Sequence, residues 1–519
     1  MKLTRRATIA SAAATAALPR FAIAQSDTRP HVKVAVQIIS NTGTLEPLRE
    51  QSSNASERWV NSILETPIAR NQQGQLERVP GIAQSWKRIS DTIVELELRP
   101  GVKLHNGDTL TAEDVAFTFG PEHMFGAGLP ADIPPIAKRH FPALARVEIV
   151  SPTTVRFVNS TPDVTLEGRL SAGGSEIISG RAWREHGDWQ ANSRKPVGTG
   201  PYRLASFTPG SSLVLEAHDE YWGGRPPVKS VTFVEVPETA SRIAGLQAGE
   251  FDFACDIPPD QIAVIERDPK LMVQGGLVLN HKIVVFDKNS PPLSNPLVRR
   301  AMSHAVDRQA IVDSLWAGRT RVPPGLQWEF YGEMFIKDWQ VPAYDQAIAR
   351  DLLRQAGYKG EEIIYRARNN YYTAENATAQ ILVEMWKQVG LNVKLEIKEN
   401  WGEVLDKKGP RGARDWSNSA VFDDPVSSIT NQHGPKGAQQ TNGEWTNAEV
   451  NELSVALETG TDMAKRRAVF RRMLEICERE DPAYIVLHQN AVFTAHKRST
   501  KWQAPPSFFM DFSSRAWKA

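Results

Sequence analysis

Residues 196–227 read PVGTGPYRLASFTPGSSLVLEAHDEYWGGRPP. Gly198, Gly200 and Pro201 mark a tight turn, two strand-like runs follow, and Tyr221-Trp222-Gly223-Gly224 closes the stretch. It can be read as a phosphate-binding glycine loop, a piece of an active site, or scaffold. A phosphate cradle needs a series of backbone N–H groups opening a helix. Here the GTG lacks the G-x-G-x-x-G spacing, and Pro201 removes an N–H. The stretch therefore predicts structural turns around a pair of strands.

Working outward, strand and helix signals alternate along the chain. Val32, Val34, Val36 and Ile38 alternate with other residues and predict a strand. Val94, Leu96 and Leu98 alternate with Glu95 and Glu97, a strand with one wet face. Thr111-Ala112-Glu113-Asp114 has the pattern of a capping box. Residues 147–149 and 155–157, split by Ser151-Pro152-Thr153-Thr154, predict a hairpin. Leu213 with Leu215, and Val231 with Phe233, mark two more strands. The second half is richer in helix: 296–306, 307–316 with Asp307 as N-cap, 345–356 closed by Gly357, and 465–480 halted by Asp481-Pro482. Ile381, Leu382, Met385, Trp386 and Val389 follow helical spacing up to Gly390, and Leu391, Val393, Leu395 and Ile397 then alternate as a strand. Strand-helix-strand units in both halves suggest two α/β lobes.

The 519 residues exceed what one core usually holds. Sixty-one basic and sixty acidic residues leave a net charge of +1, which argues against nucleic acid or an anionic membrane as partner. The first 24 residues have the form of an export signal: basic Lys2, Arg5 and Arg6, an alanine-rich apolar run, and Ala22-Ile23-Ala24 as cleavage site. The mature chain is expected to begin at Gln25. Arg5-Arg6 suits a twin-arginine route, and a general secretion signal fits equally. No cysteine follows the cleavage site to carry a lipid anchor, and no later apolar run reaches the ~20 residues of a membrane span. Cys255 and Cys477 lie far apart in sequence and are expected to be two buried thiols rather than a disulfide.

Catalytic parts are missing. Gly173-Gly174-Ser175-Glu176-Ile177 lacks the last glycine of a G-x-S-x-G elbow. There is no H-E-x-x-H, no paired-cysteine metal motif, and the 11 histidines are scattered. Asp423-Asp424 are adjacent, so in a strand they would point to opposite faces. Neither an enzyme nor a cofactor is expected.

Five stretches together resemble the family 5 extracellular solute-binding proteins of ABC importers. They are LELRPGVKLHNGDTLTAEDVAFTF (96–119), VGTGPYRL (197–204), YWGGRPPVKSVTF (221–233), NPLVRRAMSHAVDRQAIV (295–312) and YDQAIARDLLRQAGY (344–358). The resemblance implies an α/β, two-lobed periplasmic binding protein fold (type II, cluster C) with an extra subdomain in the first lobe. Lobe one would span 25–280 with the subdomain at 45–189, lobe two 281–487, and 488–519 would return to lobe one. A periplasmic monomer would enclose a small solute between the lobes and dock on ABC permease subunits.

Closure around a polar solute needs polar groups to replace water and aromatic walls to supply area. Residues 366–372 (RARNNYY) offer Arg368, Asn370, Tyr371 and Tyr372, read either as cleft wall or as a surface loop. Trp401 is read as cleft wall or as lobe-two core. Residues 415–425 (DWSNSAVFDDP) offer Trp416, Asn418 and Ser419, and Asn41 and Thr42 follow a strand end in lobe one. In the peptide binders that the chain resembles, an aspartate four residues before the proline of this segment pairs with the peptide α-amino group. Here that position is Val421, and Asp423 could substitute only with a shifted register. A peptide or peptide-like solute is the first expectation, an oligosaccharide or opine the second, and a nickel chelate, unsupported by any histidine cluster, the third. A secreted hydrolase, or a sensor or chaperone on the same fold, are the rival classes.

Overall fold

The computed structural model describes residues 27–50, 54–409 and 411–517, so the export signal lies outside the described residues. Ten strands form one mixed sheet that runs through both lobes. At its centre Leu271–Phe286 and Tyr484–Lys497 pair antiparallel, from Leu271 opposite Lys497 to Val285 opposite Tyr484. At about 3.3 Å per residue the longer strand spans roughly 50 Å, enough to reach from one lobe into the other. The register breaks between the Leu277 and His281 pairings and again between those of Lys282 and Ile283.

On one side of this pair lie Phe253–Ala254, His31–Val36, Ser230–Glu235, Ser212–Ala217 and Tyr202–Thr208, in that order. His31–Val36 is flanked by parallel neighbours on both edges, and Val32, Val34 and Val36 enter the first-lobe core with Trp59, Leu215 and Phe233. Met510 and Phe512 near the C-terminus join the same core. On the other side lie Ala413–Ser419, Ile363–Arg368 and Val393–Lys398. Helices Pro296–His304, Gln346–Ala356 and Glu375–Gln388 cover them, and Trp386 donates its indole N–H to the Met302 carbonyl at 3.0 Å.

A separate four-stranded antiparallel sheet packs beside the first lobe: Ala83–Ser90, Ile93–Leu98, Thr154–Asn159 and Leu144–Ser151. Val94, Leu96 and Leu98 face its core, while Glu95 on the wet face pairs with Arg156 at 2.7 Å. Helix Ala112–Thr118 starts at the capping box of Thr111 and Asp114. Asp307 and Asp345 cap their helices, and Gly357 closes the latter at φ +69°. The single helix expected over 465–480 is instead Met463–Glu475 followed by a wider turn, Ile476–Glu480. The widening coincides with Glu478, turned inward to accept from Leu326 N (2.7 Å), Trp339 Nε1 (2.9 Å) and the Tyr484 hydroxyl (3.1 Å).

The 196–227 stretch is scaffold with a physical need for its glycines. A Cβ on Gly200 would lie 2.4 Å from the Ser62 carbonyl oxygen, and one on Gly198 2.6 Å from that of Ile63. The two strands that follow form an antiparallel hairpin. Cys255 and Cys477 are buried free thiols in separate cores. Among the described residues no helix is long and apolar enough to cross a membrane.

Candidate functional site

Between the lobes lies a cavity of about 540 Å³. Its second-lobe wall is built from the end of strand Ala413–Ser419 and the chain following strand Ile363–Arg368. Four aromatic rings line it as a chain of edge-on contacts. Trp416 stands 4.8 Å from Trp401, Trp401 5.0 Å from Tyr371, and Tyr371 4.8 Å from Tyr372, between ring centroids. Amides and hydroxyls fill the gaps. Asn280 donates to Ser417 Oγ (3.1 Å) and Ser419 Oγ (2.7 Å), and the Tyr372 hydroxyl donates to Ser417 Oγ at 3.0 Å. Asn418 reaches the Ser428 carbonyl at 3.4 Å.

Behind this uncharged face sits a buried charge cluster. The Lys282 ammonium donates to Glu375 at 2.7 Å and to Asp415, and lies 3.9 Å from the Tyr372 ring centroid. Burial drives Lys282 down to about 8 and pushes Glu375 up. The cluster fixes Tyr372 from the rear without placing charge in the cavity.

The first-lobe wall is charged. Ser40 Oγ (2.7 Å), the Asn41 N–H (3.1 Å) and the Thr42 N–H (2.7 Å) all donate to Glu50, which folds the loop that presents Asn41. Glu65 accepts from Thr199 (2.8 Å), Tyr221 (2.8 Å) and Trp222 (2.9 Å), so the 196–227 scaffold holds a carboxylate in the cavity wall. Glu57, Arg70, Arg139 and Glu176 also line this side, with Arg49, His140 and Arg515. Burial pushes Glu57 and Glu176 up to about 7, Glu57 against the pull of Arg70. Burial also lowers Arg139, and it lowers Arg70 to about 10.

The lobes meet across the cavity mouth. Arg368 donates to Asn41 Oδ1 at 2.9 Å and stacks 4.3 Å over Tyr371. Asn54 donates to the Tyr371 carbonyl at 2.7 Å, Arg70 donates to the Val421 carbonyl, and Arg78 pairs with Asp423 at 2.9 Å. These contacts make the conformation a closed one.

Of the residues expected in the cleft, Asn41, Tyr371, Tyr372, Trp401, Trp416, Asn418 and Ser419 line the cavity. Four lie outside its wall. Thr42 turns its hydroxyl to Glu50 and Thr44, which organises the loop. Arg368 is spent on the interlobe contact with Asn41. Asn370 sits at φ +47° on the rim, its carbonyl taken by Gln37 of the first lobe. Asp423 is drawn away by Arg78, and Asp424 is fixed by both oxygens to Arg466 at 2.8 and 2.9 Å. Arg366 donates to the Asp406 carbonyl at 2.9 Å and does not line the cavity. Glu57, Glu65, Arg70, Arg139 and Glu176 were not foreseen: they come from separate loops and helix ends with no shared local pattern. Among the described residues no group of His, Cys, Asp and Glu is disposed to hold a metal ion.

Two lobes joined by a pair of long strands and closed over a polar, aromatic-walled cavity define a solute-binding protein of the periplasmic type. Residues 77–440 match the model of the bacterial extracellular solute-binding proteins, family 5 (Middle). The chain belongs to that family, the solute-binding proteins of ABC importers. It is similar to di/tripeptide-binding protein 1 of Pseudomonas aeruginosa, 26% identical over 451 residues that cover 81% of this chain and 82% of the relative. Its fold matches the dipeptide-binding protein of Pseudoalteromonas sp. SM9913 in complex with Met-Leu (TM-score 0.83, 18% identity, 94% and 99% of the two chains). It also matches the binding protein MoaA of A. tumefaciens R10 in complex with mannopinic acid (TM-score 0.80, 21% identity, 93% and 99%).

Proposed function

We propose that the protein captures a peptide or peptide-like small polar solute between its lobes and presents it, in the closed form, to ABC permease subunits. The supporting observation is the second-lobe wall. Trp401, Trp416, Tyr371 and Tyr372 offer apolar area around Ser417, Asn418 and Ser419, whose amides and hydroxyls suit peptide groups leaving water. The protein acts outside the cytoplasm as a monomer, is cleaved after Ala24 and binds without catalysis. Its lobes would divide near residues 280 and 487, within the two long strands. The similarity to a di/tripeptide-binding protein points the same way.

The test is a thermal-shift screen of the purified protein with short peptides, N-blocked peptides, opines and oligosaccharides. A solute at a hundred times its Kd should add about 2.7 kcal/mol of stability, a shift of a few degrees. Shifts with peptides or their conjugates support the reading, and a shift with oligosaccharides alone overturns it. An opine or oligosaccharide is the second reading, favoured by Val421, which puts no anion opposite a ligand ammonium.

A further inference from the structure

The two cavity walls differ in what charge they can meet. The second-lobe wall offers no free anion: Asp423 and Asp424 are held by Arg78 and Arg466. On the first-lobe wall, the oxygens of Glu50 and Glu65 are committed to the loop and ring donors described above. The two remaining carboxyls, half-buried Glu57 and buried Glu176, are raised to about 7 by their loss of water. An entering ammonium would have to pair with a carboxylate whose charged form burial already disfavours.

Of the cavity's arginines, Arg49 and Arg515 have carboxylate partners in Asp132 and Asp511, while two others have none among the described residues. Arg139, on the last turn of helix Ile133–His140, lines the cavity with no hydrogen bond or ion pair to any described residue. Arg70 has no carboxylate within ion-pair distance among the described residues. It is met by the Val421 carbonyl and, at 5.7 Å, the Phe330 ring, and its Nε is buried without a partner. A partly buried guanidinium without a counter-ion is costly, and a carboxylate satisfies it with two parallel hydrogen bonds.

We propose that the cavity selects a carboxylate-bearing solute without a free primary ammonium, of the class of N-acylated amino acids and N-blocked short peptides, its carboxylate received by Arg139 of the first lobe. Arg70 supplies the second cation of the same wall. The uncharged acyl and amide portion lies against Ser417, Ser419 and the two tryptophans. This rests on the reading of the cavity as a receptor for a peptide-like solute and sharpens it to one charge type.

The experiment is native mass spectrometry and calorimetry at pH 7.5 with three matched mixtures: free dipeptides, N-acetyl dipeptides, and N-acetyl dipeptide amides. The N-acetyl acids are expected to bind at least tenfold more tightly than either other set. Arg139→Gln should erase the preference for acid over amide, and Arg139→Lys should keep part of it, provided both variants melt like the parent. The inference is overturned if free dipeptides bind most tightly and Glu57→Gln abolishes that binding, or if amides bind as well as acids. Either result leaves the peptide-like reading standing. Binding of none of the three, with stabilisation by an oligosaccharide, removes that reading and the inference with it.

Discussion

The two walls of the cavity solve the same problem in opposite ways. The second lobe keeps its charges one layer back: Lys282, Glu375 and Asp415 are buried behind Tyr372, and the surface is rings, amides and hydroxyls. The first lobe puts arginines and glutamates in the wall itself. A neutral wall can accept many polar solutes, since hydrogen bonds from amides and hydroxyls adapt to either donor or acceptor. A charged wall discriminates by sign, since an uncompensated charge in a closed cavity is costly. Breadth should therefore reside in the second lobe and charge selection in the first.

The largest effect is expected where the hidden cluster is broken. Lys282→Met leaves two buried carboxyls unpaired and should cost about 3–5 kcal/mol in urea unfolding. The loss should shrink in acid, where those carboxyls protonate. A loss under 1 kcal/mol at neutral pH would mean that the second-lobe wall is not organised from behind.

Next comes Glu176→Gln in the first lobe. Glu176 is 2% exposed and raised by burial from 4.5 to about 7, so the folded protein binds its proton between those values while the unfolded chain does not. Its contribution is fully present below pH 4.5 and is lost as pH rises through 7. The amide keeps the acceptor for the Gly174 N–H, 2.7 Å away in the parent, and never ionises. The variant should match the parent in acid and exceed it by up to about 3 kcal/mol at pH 8. Parallel stability curves from pH 4 to 8 would show that this wall carries no strained carboxyl.

How much of this was legible in the sequence follows from the same contrast. Tyr371, Tyr372, Trp401 and Trp416 stand in short segments that mix rings and amides, so composition marked them, while placement after a strand end marked Asn41. Arg368 and Asp423 carry the right chemistry in those same segments. Each is claimed by a residue more than 300 positions away, Asn41 and Arg78, and sequence spacing does not encode that pairing. Glu57, Arg70, Arg139 and Glu176 are scattered across the first lobe and its inserted sheet, and only the closed fold collects them. The helix caps at Asp307 and Gly357 were legible because a cap is decided within four residues. The continuity of one sheet through both lobes was not, because it depends on two strands about 200 residues apart.

A third substitution probes the neutral wall directly. Trp416→Ala removes the ring that stands against Trp401 and should weaken solute binding by about 2 kcal/mol, roughly thirtyfold. Solutes with apolar side chains should lose most, and the preference for one charge over another should survive. A change in charge preference would move that selection to the second lobe.

The smallest expected effect separates closure from recognition. Arg368, oriented by its stack on Tyr371 of its own lobe, makes its cross-cavity hydrogen bond to Asn41 only when the lobes meet. Arg368→Ala should therefore raise the free energy of the closed form by about 1 kcal/mol, most of one power of ten in affinity. Because Arg368 lies outside the cavity wall, the loss should be equal for every solute that binds. The unliganded variant should also show a larger radius of gyration by small-angle scattering, since the open form gains population. If affinities instead fall unequally, with acids losing more than amides, Arg368 belongs to the charge-reading wall and the division between the two lobes is less sharp than the closed structure draws it.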